Sequence, residues 1–459
     1  MQMLKHISGI IIVTFLIGTF YITDRTPYSD EYLYLGHAHS LYSHGIFGRV
    51  DKKTGHSEPD AFPAPLYPAL LAGFMLIDKD FANSTACYLT SIDVKKHNCS
   101  NKLFKAKIFQ LILFALCLSY IWLLLVKITD SRLLAYITVG LLLFSGTPFY
   151  YADHFLTESL YLPLVFIFLL TLPIAILQQN LKYAVISAIF LALAALARPI
   201  FLYLFYMLLL IFPVMFFFKK RFFLDVRGFI NFNLVFLITF SLIVGPWITR
   251  NMMHFDKFAI TADYSWRTLS TRVAHNDMNN MEYLAGWIYW LPDFGDSLAK
   301  NLFGSENTDR LSFSDPQSFY PAGRHKVDQR INTAMNLGTG TNRYSSRMEA
   351  LLKIYVYPDM LNHAKVTLLL AWRGFFVEKY FGLIGLFFLI WAIAGGMKDQ
   401  YARYFHIIII PPMILLFLQA AISLSIPRYN SILLLPLSIA ITFGLMTIIN
   451  NIRNWKTDR

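Results

Sequence analysis

Apolar residues along this chain are gathered into blocks of 16 to 21, separated by short polar breaks or by two long polar segments. A block such as IFQLILFALCLSYIWLLLV is long enough to cross a hydrocarbon core of about 30 Å as a helix. Read this way, the pattern predicts ten spans. They fall near Ile7–Ile22, Ile108–Val126, Leu133–Tyr150, Thr157–Leu177, Tyr183–Arg198, Pro199–Phe218, Phe229–Ile248, Tyr380–Gly396, Tyr404–Ile422 and Asn430–Asn450. The fifth and sixth meet at a tight Arg198–Pro199 corner. The first has a lysine before it and no small-residue cleavage site after it, so it reads as a retained anchor. The expected fold class is an all-α polytopic membrane protein. Residues 1–248 would form a transmembrane module with surface helices in its first outer loop. Residues 249–379 would form a large outer loop, and residues 380–459 the C-terminal transmembrane helices.

Composition agrees with the pattern. Of 459 residues, 56% are hydrophobic and 15% charged, against about 25% charged in a soluble domain. That excludes a set of soluble domains, a disordered chain and, with three cysteines, a disulfide scaffold.

Charge then predicts which way the spans face. With a cytoplasmic N-terminus, thirteen basic residues fall in inside segments: Lys5, Lys127, Arg132, Lys182, Lys219, Lys220, Arg221, Arg227, Lys398, Arg403, Arg453, Lys456 and Arg459. The short outside loops hold one, Arg428. Of the acidic residues only Asp130, Asp225, Asp399 and Asp458 fall inside. Such an excess of inside Lys and Arg places both termini in the cytoplasm. It accounts for the net charge of +12 without any nucleic-acid partner. The long segments Thr23–Lys107 and Thr249–Lys379 are left outside, and the chemistry is expected there. Cys87 and Cys99 both lie in the first, where a disulfide between them can form.

The most informative stretch is TPYSDEYLYLGHAHSLYSHGIFG, Thr26–Gly48. Ser29 is a good N-cap, Asp30 and Glu31 open a helix, and Gly45 closes it. The two carboxylates either complement the helix N-terminus or supply a general base in Asp30. In the second case Asp30 is expected to face the bundle mouth and Glu31 to turn toward solvent or help hold a donor. The segment PDAFPAPLYPALLAGFML, Pro59–Leu76, is too short to span and reads as a surface helix or a packed loop. In the short outside loop YYADHFLTES, Asp153, His154 and Glu158 are ionisable groups at the ends of spans, where burial without a partner is costly. The trio could ligate a metal, but its spacing fits no metal motif. Arg198, Arg250 and Arg428 each lie where a span meets the outer surface. Each is either a snorkelling side chain or part of a clamp for a lipid phosphate. Aromatics of WIYWLPDFGDSL, Trp287–Leu298, suit the membrane interface or stacking on a sugar ring. Glycine-rich phosphate loops, G-x-S-x-G and H-E-x-x-H are absent from the sequence.

Several features recur together and in order: the acidic pair after the first span, PAPLYP at Pro63–Pro68, a carboxylate after the third span, LARP at Leu196–Pro199, PWITRN at Pro246–Asn251 and PRY at Pro427–Tyr429. This set resembles the GT-C membrane glycosyltransferases that use polyprenyl-phosphate sugars. The nearest likeness is to glycosyltransferase family 39 (protein O-mannosyltransferase-like) and to the aminoarabinose transferase-like enzymes. The resemblance runs through nearly the whole chain and is weak over residues 255–378. It implies Asp30 as base beside Glu31, Glu158 or Asp153 as the acidic residue of the second outer loop with His154 near it, and Arg428 with Tyr429 at the donor phosphate. It also implies transfer of a sugar from a polyprenyl-phosphate donor to a hydroxyl of a lipid, glycan or protein acceptor on the outer face of a bacterial inner membrane. No cofactor is required, though a divalent cation such as Mg or Mn could assist. The rival class is a multi-pass transporter or a flippase of a lipid-linked glycan, which would be expected to place polar residues at the midplane of its helices.

Overall fold

The computed structural model describes residues 2–50, 57–90, 99, 101–217, 226–261, 265–337 and 346–457. Lys219, Lys220, Arg221, Asp225, Asp458, Arg459 and the last residue of the sixth predicted span lie outside them. The protein is helical almost throughout. Its only strands among the described residues are an antiparallel pair, β1 (Gly48–Val50) and β2 (Ser57–Pro59). Gly48 permits that pairing, because a Cβ there would collide with the Glu58 carbonyl.

Two compact units divide the chain. The first comprises Met1–Ala262, Trp391–Pro411 and Ser438–Arg459, and the second comprises Asp263–Ile390 and Pro412–Leu437. Residues 380–459 therefore contribute to both.

The first unit opens with α1 (Gln2–Thr19), α2 (Glu31–His44), α3 (Leu66–Ile77), α4 (Lys79–Thr90), α5 (Phe104–Thr129) and α6 (Arg132–Phe144). It continues with the short α7 (Thr147–Ala152), then α8 (Glu158–Leu177), α9 (Leu181–Ala197), α10 (Ile200–Phe217) and α11 (Val226–Phe255). α8 is the central element: despite Pro163 and Pro173 it is buried nearly end to end. Its main neighbour α9 presents Ala184, Ala188, Ala192 and Ala195, all fully buried. Small side chains let two backbones approach closely where the surroundings are apolar. α11 buries only one stripe, Phe232, Phe236, Phe240, Val244, Ile248 and Asn251. That three-to-four-residue spacing is one face of a helix, and Phe240 of that stripe stacks on Phe205 at 3.7 Å. Leu234, Ile238 and Leu242 stay exposed, as on a lipid-facing side.

Ahead of the bundle, α2, α3 and α4 share an apolar cluster built on Leu35, Ala38, Tyr67, Leu71, Met75 and Phe81. PAPLYP thus does begin a helix, with Pro65 at its N-cap position. Gly45 ends α2 in the left-handed conformation, its N–H donating to the Leu41 carbonyl. Ser29 does not cap α2. Its own φ is +50°, and Asp30 stands at the N-cap position without a side-chain hydrogen bond.

The second unit contains α12 (Ser265–Val273), α13 (Asn280–Tyr289), α14 (Gly295–Phe303), α15 (Arg324–Leu337), α16 (Arg347–Leu351), α17 (Met360–Phe375) and α18 (Tyr380–Trp391). One of its cores gathers Leu269, Val273, Val327, Ile331 and Leu351. α19 (Asp399–Ile422) and α20 (Leu434–Thr457) complete the chain.

Among the described residues, five helices are long and apolar enough to cross a membrane: Phe104–Thr129, Glu158–Leu177, Val226–Phe255, Asp399–Ile422 and Pro427–Asn454. A sixth arises if Arg347–Phe375 and Tyr380–Gly396, bent by 111° at their break, count as one span. The architecture is that of an all-α membrane protein, but the ten predicted spans are not all of spanning length. Helices α6 (Arg132–Phe144, 13 residues) and α9 (Leu181–Ala197, 17 residues) coincide with predicted spans yet are shorter than 18 residues. An apolar run read from sequence includes the flanking turns, and those are not helical in the fold. The Arg198–Pro199 corner falls between α9 and α10, where proline disfavours helix in the residue before it.

Candidate active site

The segment joining α1 to α2 and the turn joining α7 to α8 meet through four charged side chains. Glu31 is buried, with 1% of its surface exposed. Arg25 grips it with both terminal nitrogens, Nη2 to Oε1 at 2.6 Å and Nη1 to Oε2 at 2.8 Å. The Phe155 amide donates to Oε1 at 2.6 Å and the Tyr28 amide to Oε2 at 2.9 Å. Each carboxylate oxygen therefore accepts two hydrogen bonds, one of them from a cation.

Asp153 is held in the same way. Lys107 Nζ lies 2.9 Å from Oδ1, with the Thr23 amide 2.8 Å from that atom. The Thr23 hydroxyl is 2.6 Å from Oδ2, and Arg25 Nε is 3.3 Å from it. Burial by itself would raise the Asp153 pKa. The Thr23 hydroxyl, the Lys107 ammonium and the Thr23 amide outweigh it and hold the carboxyl below the ordinary aspartate value. Arg25 bridges the two acids, and its Nη2 also donates to the Asp153 carbonyl at 2.9 Å.

His154 caps this network. Its Nδ1 lies 2.7 Å from the Tyr150 carbonyl and its Nε2 lies 3.3 Å from the Tyr28 hydroxyl. Burial lowers its pKa, so the ring is neutral, with the proton on Nδ1 and Nε2 free to accept. Gln110 supports the turn from α5. Its amide donates to the Ala152 and His154 carbonyls, while its oxygen accepts from the hydroxyls of Tyr67 and Ser159.

Asp30 is the contrast. It is exposed, and its carboxylate makes no hydrogen bond or ion pair among the described residues. The orientation expected from sequence is thus reversed: Glu31 turns inward and Asp30 outward. Tertiary partners decided this, since only Glu31 lies where Arg25 and the Phe155 amide can reach it.

Glu158 and Arg198 form a second pair. Glu158 is fully buried at the start of α8, and Arg198 Nη1 donates to its Oε1 at 3.1 Å and to the Tyr161 hydroxyl at 2.9 Å. Arg250 is committed elsewhere. It donates to the Asp60 and Phe47 carbonyls and to Asn251 Oδ1, and lies over the Trp247 ring at 4.7 Å. Arg428 and Tyr429 belong to the second unit, half-buried in the 3₁₀ stretch Pro427–Leu433 ahead of α20. The Gln419 amide donates to the Tyr429 carbonyl at 3.0 Å, anchoring that stretch to α19. A disulfide joins Cys87 of α4 to Cys99.

The structure therefore brings Glu31, Asp153 and His154 together and pairs Glu158 with Arg198. Arg25 and Lys107, absent from the sequence-level candidates, are the cations on which the cluster depends. Lys107 carried a readable signal, being a lysine in the first turn of an apolar helix that requires a partner when buried. Arg25, in the short polar link after α1, carried none. No group of three or more His, Cys, Asp or Glu side chains suited to a metal occurs among the described residues. In comparisons with known proteins the chain matches no protein family, no curated protein and no solved structure.

Proposed function

We propose that this chain is a membrane glycosyltransferase that moves a sugar from a polyprenyl-phosphate donor to an acceptor hydroxyl, with Asp30 as general base. The observation that carries the reading is the division of labour between the two adjacent acids. Glu31 and Asp153 each already accept four hydrogen bonds, so neither has an oxygen open to a substrate hydroxyl. Glu31 and Asp153 therefore serve as scaffold, while the unengaged Asp30 is open to an incoming hydroxyl.

The step balances without ATP. The acceptor oxygen attacks the anomeric carbon and its proton passes to Asp30. The bond from that carbon to the phosphate oxygen breaks, and the polyprenyl phosphate leaves with the electron pair. One displacement inverts the anomeric centre. Arg428, with Tyr429 beside it, holds the donor phosphate and offsets the charge developing there, a contact of about 1.5–3 kcal/mol. Arg198 and Arg250 keep internal partners within the first unit. Both termini lie in the cytoplasm of a cell whose inner membrane holds the protein, and the transfer occurs on the outer face.

The experiment is complementation. Lipid and protein glycans of a deletion strain are compared by mass spectrometry with those of strains carrying the wild-type or the Asp30→Asn chain. Asp30→Asn keeps the shape and removes the base, so turnover falls by roughly 10²–10⁴-fold at equal protein abundance. Full restoration of the glycans by Asp30→Asn overturns the assignment.

A further inference from the structure

The second unit holds two arginines that differ in one decisive respect. Arg272, in the last turn of α12, is fully buried, and each nitrogen of its guanidinium has an acceptor. Nε donates to the Ala420 carbonyl, Nη1 to Asn276 Oδ1 at 2.8 Å, and Nη2 to the His363 carbonyl at 2.9 Å and the Thr367 hydroxyl at 3.0 Å. It is a strut. Arg373, in the last turn of α17, is half-buried and makes no hydrogen bond and no ion pair among the described residues. A helix C-terminus favours a cation but here supplies no acceptor to it.

Aromatic rings surround Arg373 instead. Its guanidinium carbon lies 5.0 Å from the centre of the Trp290 ring and 5.9 Å from that of Phe313. Phe313 stacks on Tyr320 at 4.1 Å, and Tyr320 lines an open cleft with Pro321, Arg324, His325 and Asp328. The Tyr289 phenol is the titratable neighbour of Arg373. Asp296 and Asp309 bear on Tyr289, and Asp309 is itself 3.5 Å from Lys300. His275, buried nearby, is pushed down to about 3 by burial and by Arg373 and Arg272, so it is neutral and adds no counter-charge.

No nitrogen of Arg373 is among the buried atoms left without a partner, so its N–H groups face water and can exchange that water for an anion. Flat aromatic faces beside it suit the apolar face of a sugar ring.

We infer that the Trp290–Phe313–Arg373 cluster binds an acid-bearing sugar, a sugar phosphate or a uronic acid, as the anionic part of the acceptor glycan. Arg373 takes the anion through its free N–H groups, and Trp290 and Phe313 take the ring. The binding site itself stands on the second unit alone, while the word acceptor rests on the glycosyltransferase reading above. That reading gives the donor phosphate to Arg428, so a second anion belongs to the other substrate.

Isothermal titration calorimetry on the full chain in detergent tests this with four probes: glucose 6-phosphate, glucuronate, glucose and inorganic phosphate. Saturable binding of glucose 6-phosphate or glucuronate is expected. Glucose lacks the anion and inorganic phosphate lacks the ring, so both bind at least about tenfold more weakly. Arg373→Gln weakens the acidic sugar by roughly 10- to 150-fold, and Arg373→Lys falls between. The melting temperature of each variant is measured alongside, and Trp290→Phe, which keeps a smaller ring, weakens binding with the charge intact. Glucose or inorganic phosphate binding as tightly as glucose 6-phosphate overturns the proposal, and so does unchanged binding by a folded Arg373→Gln. Asp30→Asn retains the binding, so loss of transfer and loss of this site are read separately.

Discussion

The polar segment after the first helix and the one that opens the second unit both bury charge, but they neutralise it differently. Between α1 and α8, Glu31 and Asp153 are matched by Arg25 and Lys107, cation against carboxylate. Among the described residues of the second unit, Arg272 has carbonyls, an amide oxygen and a hydroxyl around it but no carboxylate, and Arg373 has only rings. A matched set of opposite charges fixes a backbone junction and leaves nothing over for a ligand. A cation without an acid is either spent on backbone carbonyls, as a strut, or is available to an anion from outside. The same logic separates Asp30 from Glu31 within a single turn.

The largest effect that would test this contrast is at the strut. Arg272→Ala leaves two carbonyls and an amide oxygen without their donor and opens a cavity, which costs about 3–5 kcal/mol. A detergent-phase thermal melt checks it, and an unchanged melting temperature would show that Arg272 is dispensable to the fold.

Lys107→Met comes next. It leaves Asp153 buried with Arg25 and Thr23 alone, and the expected loss is about 3 kcal/mol at neutral pH. Here pH sharpens the result. The folded pKa of Asp153 lies below the ordinary value of 3.8, so its contribution is present above that value and is lost as pH falls through the lower folded pKa. The gap between wild type and Lys107→Met should therefore narrow as the pH drops below 3.8. A gap that stays constant in acid would mean that Lys107 acts through packing and not through the Asp153 charge.

Glu31→Gln should cost about 1–3 kcal/mol of stability, because the new amide cannot accept from Arg25 and from two backbone N–H groups together. Its effect on transfer should be smaller than that of Asp30→Asn. Should Glu31→Gln abolish transfer while Asp30→Asn does not, the roles of the two acids are exchanged. The smallest effect is that of Arg373→Gln on folding, within about 1 kcal/mol, since no protein acceptor is lost. A large drop in its melting temperature would make Arg373 a second strut.

Much of the helical frame was legible because a membrane span is a local property: a sustained apolar run is visible without knowing its neighbours. The tight turn between α9 and α10, the close of α2 at Gly45 and the short helix of PAPLYP followed from proline and glycine stereochemistry, which is equally local. What the runs did not reveal was how many of them become helices of spanning length, because α1 and α6 end before their apolar stretches do.

The candidate site divides along the same line. Sequence marked Asp30, Glu31, Asp153, His154 and Glu158 as ionisable groups beside apolar spans, and that was enough to gather the acids. It could not say which acid is buried. Arg25 reaches Asp153 across 128 positions and Lys107 reaches it across 46, while the Phe155 amide reaches Glu31 across 124. Helical periodicity relates residues three and four apart and is blind to such separations. The sequence determined that α2 begins with two carboxylates about 100° apart on the helix. Only the docking of α2 against the turn between α7 and α8 decided which of them faces inward, because hydrogen-bond partners for a buried charge come from whatever the fold brings within 3 Å.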